Sequence, residues 1–203
     1  FRPTLTVLSP SEEGPARLNR EWQDEMDPAQ TSRGWGLTDH QEPIDRLAQK
    51  KEEEDNAIPN GSSIALLYEY QGRRLLLAGD AHPSVIVDTL RQLGYSPQKR
   101  LPLDCLKLSH HGSKYSTSYA LLSLVDCYRF LISTDGSRHH LPHKETLARI
   151  IMDPTRDFNR QLIFVFNHDT PLLRGIFSFE EQQKYNFTCR FPARGSKGIV
   201  MEF

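Results

Sequence analysis

Short apolar runs alternate with stretches of helical spacing through most of this sequence, and this alternation restricts the fold more than any other feature. SSIALLYEY and RRLLLAGD are joined by Gln71-Gly72, which is the turn chemistry of a β-hairpin. Further strands are predicted in TLTVLSP, DCLKLS, YRFLIST, LIFVFN and GIVMEF, with KYNFTCRF as an additional candidate. Helices are predicted in PSVIVDTLRQLG, SYALLSLV and HKETLARIIM. A chain that alternates strand and helix in this way predicts an α/β fold.

The segment that precedes this pattern is polar. Residues 10–59 show little apolar periodicity and carry the mixed-charge run QKKEEEDN. We expect residues 41–58 to form an exposed, mobile insertion, because so few apolar side chains cannot offset an ordering entropy of about 1–2 kcal/mol per residue. A partner-binding insertion is the alternative interpretation. Residues 1–203 are then part of one domain, with a polar insertion at about residues 10–59.

Composition and charge exclude several classes of protein. The 203 residues contain 25 Lys and Arg against 26 Asp and Glu, so the net charge favours neither a nucleic-acid-coating protein nor an acidic tail. The apolar runs fall far short of the ~20 residues of a membrane helix, so no membrane contact is expected. Three widely spaced cysteines with apolar neighbours, Cys105, Cys127 and Cys189, predict reduced core thiols and a cytoplasmic protein.

Ionisable side chains gather at three predicted strand ends. Asp80 follows LLLAG, His110 and His111 follow LKLS, and a loop that ends at His143 follows FLIST. Each of these residues also has a structural explanation, as a helix cap, a core imidazole or a helix-start residue. Strand ends in a layered α/β protein meet at one edge of the sheet, where ligands are usually held. A carboxylate and imidazoles delivered to that edge are the donors that a hydrolytic Zn²⁺ or Mn²⁺ centre requires.

Several of these motifs together resemble a known family. Asn60 and Ser62 precede an apolar strand, LLLAGD and LKLSHHGS follow in order, and a later histidine comes after a strand and a loop. This arrangement resembles the latter half of the metallo-β-lactamase fold, in its ComEC-type subgroup of DNA-uptake hydrolases, over about residues 60–147. The resemblance implies an αββα sandwich, of which this chain, itself expected to be a fragment, holds only the C-terminal half.

The resemblance also implies a metal site. In that family the aspartate of the GD motif bridges two metal ions, and a histidine of the HHGS motif is a ligand. Carried over, Asp80 is the bridging catalytic carboxylate, and His111 or His110 is the imidazole ligand. We favour His111 as the catalytic ligand and leave His110 to an outer or substrate contact. The resemblance thus implies a dinuclear Zn²⁺ or Mn²⁺ centre, which would lower the pKa of bound water toward about 7.

Four residues are predicted to contact the substrate. Asn60 stands in the region where many relatives hold another ligand histidine, and we expect it to orient substrate or water at the metal. Ser113 and Lys114 offer a hydroxyl and a positive charge to an anionic substrate. His143 resembles the family's late His-Pro loop, although its proline precedes it. The sequence therefore predicts a metal-dependent hydrolase acting on a phosphodiester such as a nucleic acid, with lactone, thioester and phosphonate substrates left open.

The first metal motif of the family, H-x-H-x-D-H, has no match in this sequence. TDHQE at residues 38–42 contains the D-H pair without the two preceding histidines. We therefore expect the N-terminal half of the same fold, from the same polypeptide or from a separate chain, to supply the missing ligands and to be needed for activity. The alternative is a non-catalytic interaction module that keeps the fold.

Overall fold

The structure is a computed structural model that describes residues 2–11, 38–55, 57–196 and 198–202. Its strands are β1 (Thr4–Ser9), β2 (Ala65–Tyr70), β3 (Arg73–Leu77), β4 (Leu101–Leu103), β5 (Cys105–Lys107), β6 (Val125–Cys127), β7 (Arg129–Ile132), β8 (Leu162–Phe166) and β9 (Phe187–Arg190). Its helices are α1 (Ile44–Ala48), α2 (Ile58–Gly61), α3 (Pro83–Gln92), α4 (Tyr119–Leu124), α5 (Lys144–Ile151), α6 (Pro171–Arg174) and α7 (Phe179–Lys184), and a 3-10 turn covers Ser109–Gly112. None of the described helices has the length and apolar character needed to cross a membrane.

Seven strands form one mixed sheet in the order β1-β2-β3-β5-β7-β8-β9, while β4 and β6 pair separately. The pairs β1–β2 and β2–β3 are antiparallel, and every later neighbour pair in this sheet is parallel. Parallel neighbours need crossover connections, and helices lie within them. The predicted α/β class is confirmed. Because β3, β5 and β7 run in the same direction, their carboxyl ends meet at one edge of the sheet.

The predicted hairpin joins β2 and β3. Gln71 and Gly72 have φ of 49° and 79°. Two left-handed residues in succession are what a two-residue turn of a twisted hairpin requires, and Gly72 adopts this conformation at no steric cost. Strands are also confirmed in TLTVLSP, DCLKLS, YRFLIST, LIFVFN and KYNFTCRF, and helices in the three predicted segments.

One face of the large sheet carries the hydrophobic core. Leu67, Leu76, Leu106, Phe130 and Phe164 lie side by side on neighbouring strands of this face. Each is at most 3% exposed. The buried apolar side chains of α3, α4 and α5 belong to the same cluster, so these helices cover this face. Removing this apolar area from water is the main source of stability.

The opposite face is open at β1, β2 and β3. The apolar side chains that share it are Leu5, Val7, Leu66, Tyr68, Leu75 and Leu77. Leu5, Val7 and Leu77 are 61%, 58% and 40% exposed. Exposed apolar surface that is continuous across three strands marks an interaction surface in proteins of this size.

Two expectations about the polar and terminal segments are wrong. Helix α1 lies within residues 41–58, and its residues Ile44 and Leu47 are at most 1% exposed. Two apolar residues at helical spacing are thus enough to anchor this part of the polar stretch in the core. Residues 198–202 form no strand, although GIVMEF is predicted to be one. Residues 12–37, which make up about half of the expected insertion, lie outside the described residues.

All three cysteines of the sequence lie in the described part of the chain as free thiols. Cys105 and Cys127 are buried and Cys189 is half-buried, which confirms the expectation of core thiols. Burial raises the pKa of the Cys105 and Cys189 thiols to about 12. Since only the thiolate is a good nucleophile or metal ligand, these cysteines are packing residues.

Arg149 of α5 anchors the loop that follows the HHGS motif. It is 1% exposed. Its Nη1 donates to the carbonyl oxygens of Lys114 at 3.0 Å and Thr117 at 2.6 Å, and its Nη2 donates to Glu145 Oε1 at 3.0 Å. A buried guanidinium is stable only when it is paired and hydrogen-bonded in this way. Arg149 therefore fixes residues 114–117 to α5.

Replacing Arg149 with Met is expected to lower the free energy of unfolding by about 3–5 kcal/mol, because the buried Glu145 carboxylate and two carbonyl groups lose their partner. The measurement is urea denaturation followed by circular dichroism. The same substitution at Arg91, which is exposed on α3, is the control and should change stability by less than about 0.5 kcal/mol. Equal effects at the two positions would contradict the anchoring role.

Candidate functional site

The loops after β3 and β5 meet at the edge where these strands end, and they form the candidate site. Asp80 lies in the first loop, and His110 and His111 lie in the second. His110 N–H donates to the carbonyl oxygen of Gly79 at 3.0 Å, and Lys107 Nζ donates to the same oxygen at 3.3 Å. The structure therefore brings the GD and HHGS motifs together at one edge of the sheet.

Gly79 and Ser63 set the course of the chain at Asp80. Gly79 has φ of 56°, and a Cβ atom at this position would lie 2.8 Å from Ser63 Oγ. A side chain at position 79 would therefore collide with its neighbours. The N–H of Asp80 donates to the same Ser63 Oγ at 2.9 Å. The glycine of the GD motif thus has a physical role, because it lets the Asp80 backbone reach the β2 side of the site.

The HHG turn has an unusual backbone. His110, His111 and Gly112 have φ of 44°, 56° and 85°, all in the left-handed region. For a residue with a side chain, this region costs about 1–2 kcal/mol. A Cβ atom at Gly112 would lie 2.7 Å from Pro142 Cβ, so glycine permits the close approach of the loop that carries His143. His143 N–H donates to Gly112 O at 3.1 Å and joins this loop to the turn.

His110 is held by a carboxylate that the sequence patterns did not reveal. Its Nδ1 lies 3.2 Å from Asp55 Oδ2, and Asn60 Nδ2 donates to the same oxygen at 2.6 Å. Asn60 Nδ2 is also 3.3 Å from His110 Nδ1. With Nδ1–H donating to Asp55, Nε2 lies on the far side of the ring and has no hydrogen-bond partner in the described part of the chain. Asn60 thus contacts the aspartate that orients His110.

The Asp55–His110 contact favours the charged forms of both groups. Burial alone would raise the pKa of Asp55, but hydrogen bonds from His110, the Ala57 N–H and Asn60 outweigh burial and hold this pKa far below its ordinary value. The hydrogen bond to Asp55 raises the pKa of His110 against the effect of burial, and the charge of Asp80 raises it further. The negative charge of Asp80 therefore stabilises the protonated form of His110.

His111 points to the neighbouring strand end. Its Nδ1 lies 2.5 Å from the carbonyl oxygen of Ser133, which follows β7. A carbonyl oxygen only accepts hydrogen bonds, so Nδ1 carries the proton and Nε2 has a free lone pair. The side chain is exposed. His110 and His111 thus share one feature, an Nδ1 fixed by an oxygen acceptor.

His143 has the opposite tautomer. Its Nδ1 accepts a hydrogen bond from the Lys114 N–H at 3.1 Å, so a neutral ring carries its proton on Nε2. Burial lowers the pKa of His143 to about 4, with Asp39 opposing and Lys114 adding to this shift. The ring is therefore a neutral hydrogen-bond donor at pH 7. A protonated Nε2 suits contact with an anionic oxygen better than coordination of a metal ion.

Hydrogen bonds at several positions hold the charged run KKEEED near the site. Glu52 Oε1 accepts from the Tyr119 N–H at 2.6 Å, and Glu54 Oε1 accepts from the Ser84 N–H at 2.9 Å. The N–H of Asp55 donates to Tyr115 O at 3.1 Å. Although its side chains from Lys51 to Glu54 are exposed, the run does not project as a free insertion. The only sequence signal for Asp55 is its place five residues before Asn60.

The TDHQE segment, which has the D-H pair without the two preceding histidines, also contacts the site. Asp39 Oδ1 and Oδ2 accept from the N–H groups of Lys144 and Glu145 at 2.9 and 2.8 Å, so Asp39 caps the start of α5. His40 is buried, and its Nε2 lies 3.1 Å from Pro142 O. Together they support the loop that ends at His143. His82, at the start of α3, places Nε2 2.9 Å from Ala57 O.

Ser113 and Lys114 have different surroundings. Ser113 is 4% exposed, and its Oγ accepts from the Tyr115 N–H at 3.4 Å. The Lys114 side chain is half-buried, with Nζ 5.1 Å from the centre of the Tyr115 ring. A contact of Ser113 with substrate stays a prediction, and Lys114 offers the more accessible group.

The donor chemistry of the site fits a divalent metal ion in part. His110 and His111 present Nε2 lone pairs, and Asp80 adds an oxygen donor, which together suit Zn²⁺ or Mn²⁺. Within the described ranges, no three or more His, Cys, Asp or Glu side chains are grouped so that they could hold one ion. Ligation of a metal ion by Asp80, His111 and His110 therefore stays a prediction.

Comparisons with protein-family models, with curated proteins and with solved structures found no match to this chain. The resemblance to ComEC-type hydrolases thus rests on the motifs alone. The hydrogen bonds of His110, His111 and His143 are the features of this site that bear on function.

Proposed function

We propose that this chain is the C-terminal half of a cytoplasmic αββα hydrolase of the metallo-β-lactamase type that cleaves phosphodiesters with Zn²⁺ or Mn²⁺. One observation carries the proposal. Near Asp80, the Nδ1 atoms of both His110 and His111 are fixed by oxygen acceptors, and their Nε2 atoms form no hydrogen bond with any residue that the structure describes. Metal-binding histidines almost always have this second contact, which sets the tautomer and the ring orientation. Two adjacent histidines rarely need it for packing alone.

Asp80, His111 and His110 would hold the metal ions. The chemistry supplied at such a centre, when metal is bound, is activation of water and neutralisation of charge on the phosphoryl oxygens. Asp55 would orient His110 through Nδ1, and Asn60 would hold Asp55. Each of these steps uses a contact already formed in this fold.

His143 and Lys114 would bind the substrate. The Nε2–H of a neutral His143 would donate to a non-bridging phosphoryl oxygen, and the backbone N–H of Lys114 keeps that proton on Nε2. Lys114 Nζ would add a positive charge near the same oxygens. A phosphodiester carries the negative charge that both groups favour, which a lactone or thioester in its ground state lacks.

The remaining ligands would come from an N-terminal half of the same fold, in the same polypeptide or in a separate chain. The open apolar face of β1, β2 and β3 supports this part of the proposal, because a second sheet that packs there would cover Leu5, Val7 and Leu77. Two stacked sheets with helices outside them are the layers of an αββα sandwich. The assembled protein is residues 1–203 together with this N-terminal half.

The test measures bound metal and hydrolysis. Residues 1–203 would be prepared alone and together with any preceding segment of the natural polypeptide, and zinc and manganese per chain would be determined by mass spectrometry. Cleavage of single-stranded DNA and of bis(p-nitrophenyl) phosphate would be followed in parallel. We expect weak metal binding by residues 1–203 alone, and stoichiometric metal with hydrolysis in the assembled protein. Absence of both metal and hydrolysis in the assembled protein would instead support a non-catalytic interaction module.

A further inference from the structure

A groove of about 240 Å³ opens next to His143. Its lining residues are Lys50, Lys51, Glu53, Lys114, Tyr115 and Glu145. One wall is the first part of the charged run, and the other is the turn after the HHGS motif. Three lysines and one tyrosine around a single groove form a combination that packing alone does not require.

Both walls of the groove are fixed in place. Glu52 and Glu54 accept hydrogen bonds from backbone N–H groups on other elements and so hold the charged run. Lys51, which precedes Glu52, and Glu53, which lies between the two glutamates, are exposed. Arg149 holds the carbonyl of Lys114 from below. The groove is therefore a preformed feature, and its occupant would not need to order either wall.

The accessible charge in the groove favours an anion. Glu145 is 5% exposed and is bound by Arg149, so its charge is compensated inside the protein. Lys50 Nζ is 2.8 Å from Glu42 Oε1. Lys51 and Lys114 form no ion pair with any carboxylate in the described ranges. These two ammonium groups outnumber the one exposed carboxylate of the lining, Glu53, and are the available partners for a phosphate.

Tyr115 connects the groove to the candidate site. Its ring and the His143 ring have centroids 6.4 Å apart in an edge-to-face arrangement, and Lys114 Nζ lies 5.1 Å from the centre of the tyrosine ring. A planar base that stacks on Tyr115 would thus have an ammonium group beside it, and its phosphate would reach toward His143. Glu53 adds a carboxylate at the rim that could accept from a base amine.

From this arrangement we infer that the groove is a nucleotide-binding subsite, which holds the nucleotide next to the phosphodiester that reacts. The inference rests on the proposed function and narrows its substrate to single-stranded nucleic acid. Aromatic stacking combined with lysine contacts to the backbone is the usual way in which proteins bind single strands without sequence preference. A phosphodiester without bases would leave this groove empty.

The experiment measures binding apart from cleavage. A fluorescein-labelled oligothymidylate of about 12 nucleotides would be titrated with the chain in EDTA at several salt concentrations between about 50 and 200 mM. We expect Lys51→Ala to reduce the slope of log K against log[salt] by about 0.7, the value for one phosphate contact on a single strand. Tyr115→Ala should weaken binding about tenfold through lost stacking. Lys99→Ala and Tyr70→Ala, which change the same residue types away from the groove, should bind as the unchanged protein does.

Two results would overturn the inference. One is absence of oligothymidylate binding, and the other is binding by Lys51→Ala and Tyr115→Ala with the affinity and salt slope of the unchanged protein. Hydrolysis of bis(p-nitrophenyl) phosphate by the assembled protein in Mn²⁺ tests the proposed function separately, because that substrate has no base. Hydrolysis without groove-dependent binding would refute the subsite and keep the hydrolase. Groove-dependent binding without hydrolysis would keep the nucleotide site and refute the hydrolase.

Discussion

Replacing Asp80 with Asn is expected to lower kcat/KM for phosphodiester hydrolysis by about 10³-fold in the assembled protein. A bridging carboxylate neutralises and positions the metal ions, and the charge stabilisation at such a centre is worth several kcal/mol, of which 1.36 kcal/mol corresponds to a factor of ten. The backbone position of residue 80 should not change, because its N–H still donates to Ser63 Oγ. The measurement is steady-state hydrolysis of bis(p-nitrophenyl) phosphate together with metal content.

Asp88→Asn is the matched control. Asp88 lies on α3, its side chain is 69% exposed, and it contacts only Arg91 at 3.7 Å among the ion pairs of the described residues. This substitution removes the same charge without touching the site, so activity should stay within twofold. An Asp80→Asn protein that keeps full activity and full metal content would show that Asp80 is a loop residue and not a ligand.

Replacing Asp55 with Ala is expected to reduce metal affinity and activity by about 10- to 100-fold, the usual effect of losing the outer partner of a metal-binding histidine. The His110 ring would lose the acceptor at its Nδ1, and Asn60 would lose its partner as well. Metal affinity would be measured by competition with a chromogenic chelator, and the His110 tautomer by long-range ¹H–¹⁵N NMR spectra.

Two further variants separate orientation from folding. Asp55→Asn keeps an oxygen acceptor but loses the charge, so it should recover part of the affinity and retain the Nδ1–H tautomer of His110. Asp45→Ala removes an exposed carboxylate on α1 and should leave metal affinity unchanged. If Asp55→Ala destabilised the protein while the His110 spectrum and metal affinity stayed the same, Asp55 would be a structural residue only.

The sequence predicts those parts of the fold and site that depend on neighbouring residues. The Gln71-Gly72 hairpin, the helices α3, α4 and α5 and the ends of β3 and β5 all follow from apolar period and turn chemistry within windows of about ten residues. The approach of the GD and HHGS loops follows from the same logic, since parallel neighbouring strands end at one edge. Strands β4 and β6, which pair only with each other, were not predicted.

The remaining parts depend on contacts between distant residues. Asp55 and His110 are 55 positions apart, and Asp39 caps a helix 105 positions away. Local patterns carry no signal for such pairs, and a run of mixed charges is normally interpreted as solvated. In this protein acidic side chains of the run accept hydrogen bonds from specific N–H groups. The run is therefore held in place, although its composition is that of a solvated segment. Burial of Ile44 and Leu47 was hidden for the same reason, by the polar residues around them.

The backbone of the HHG turn has a consequence for how this protein can change in evolution. Two successive residues with side chains in the left-handed region together cost about 2–4 kcal/mol, a considerable part of the 5–15 kcal/mol that holds a typical domain together. Selection for stability alone would replace them with glycine or asparagine, which adopt this conformation at lower cost. A second pair, His139 and His140 with φ of 54° and 52°, carries the same cost, so the backbone alone assigns no role to either pair. Under the proposed function, the imidazoles at positions 110 and 111 are what offsets this cost, and drift toward Gly or Asn there in descendants of this protein would accompany the loss of hydrolysis.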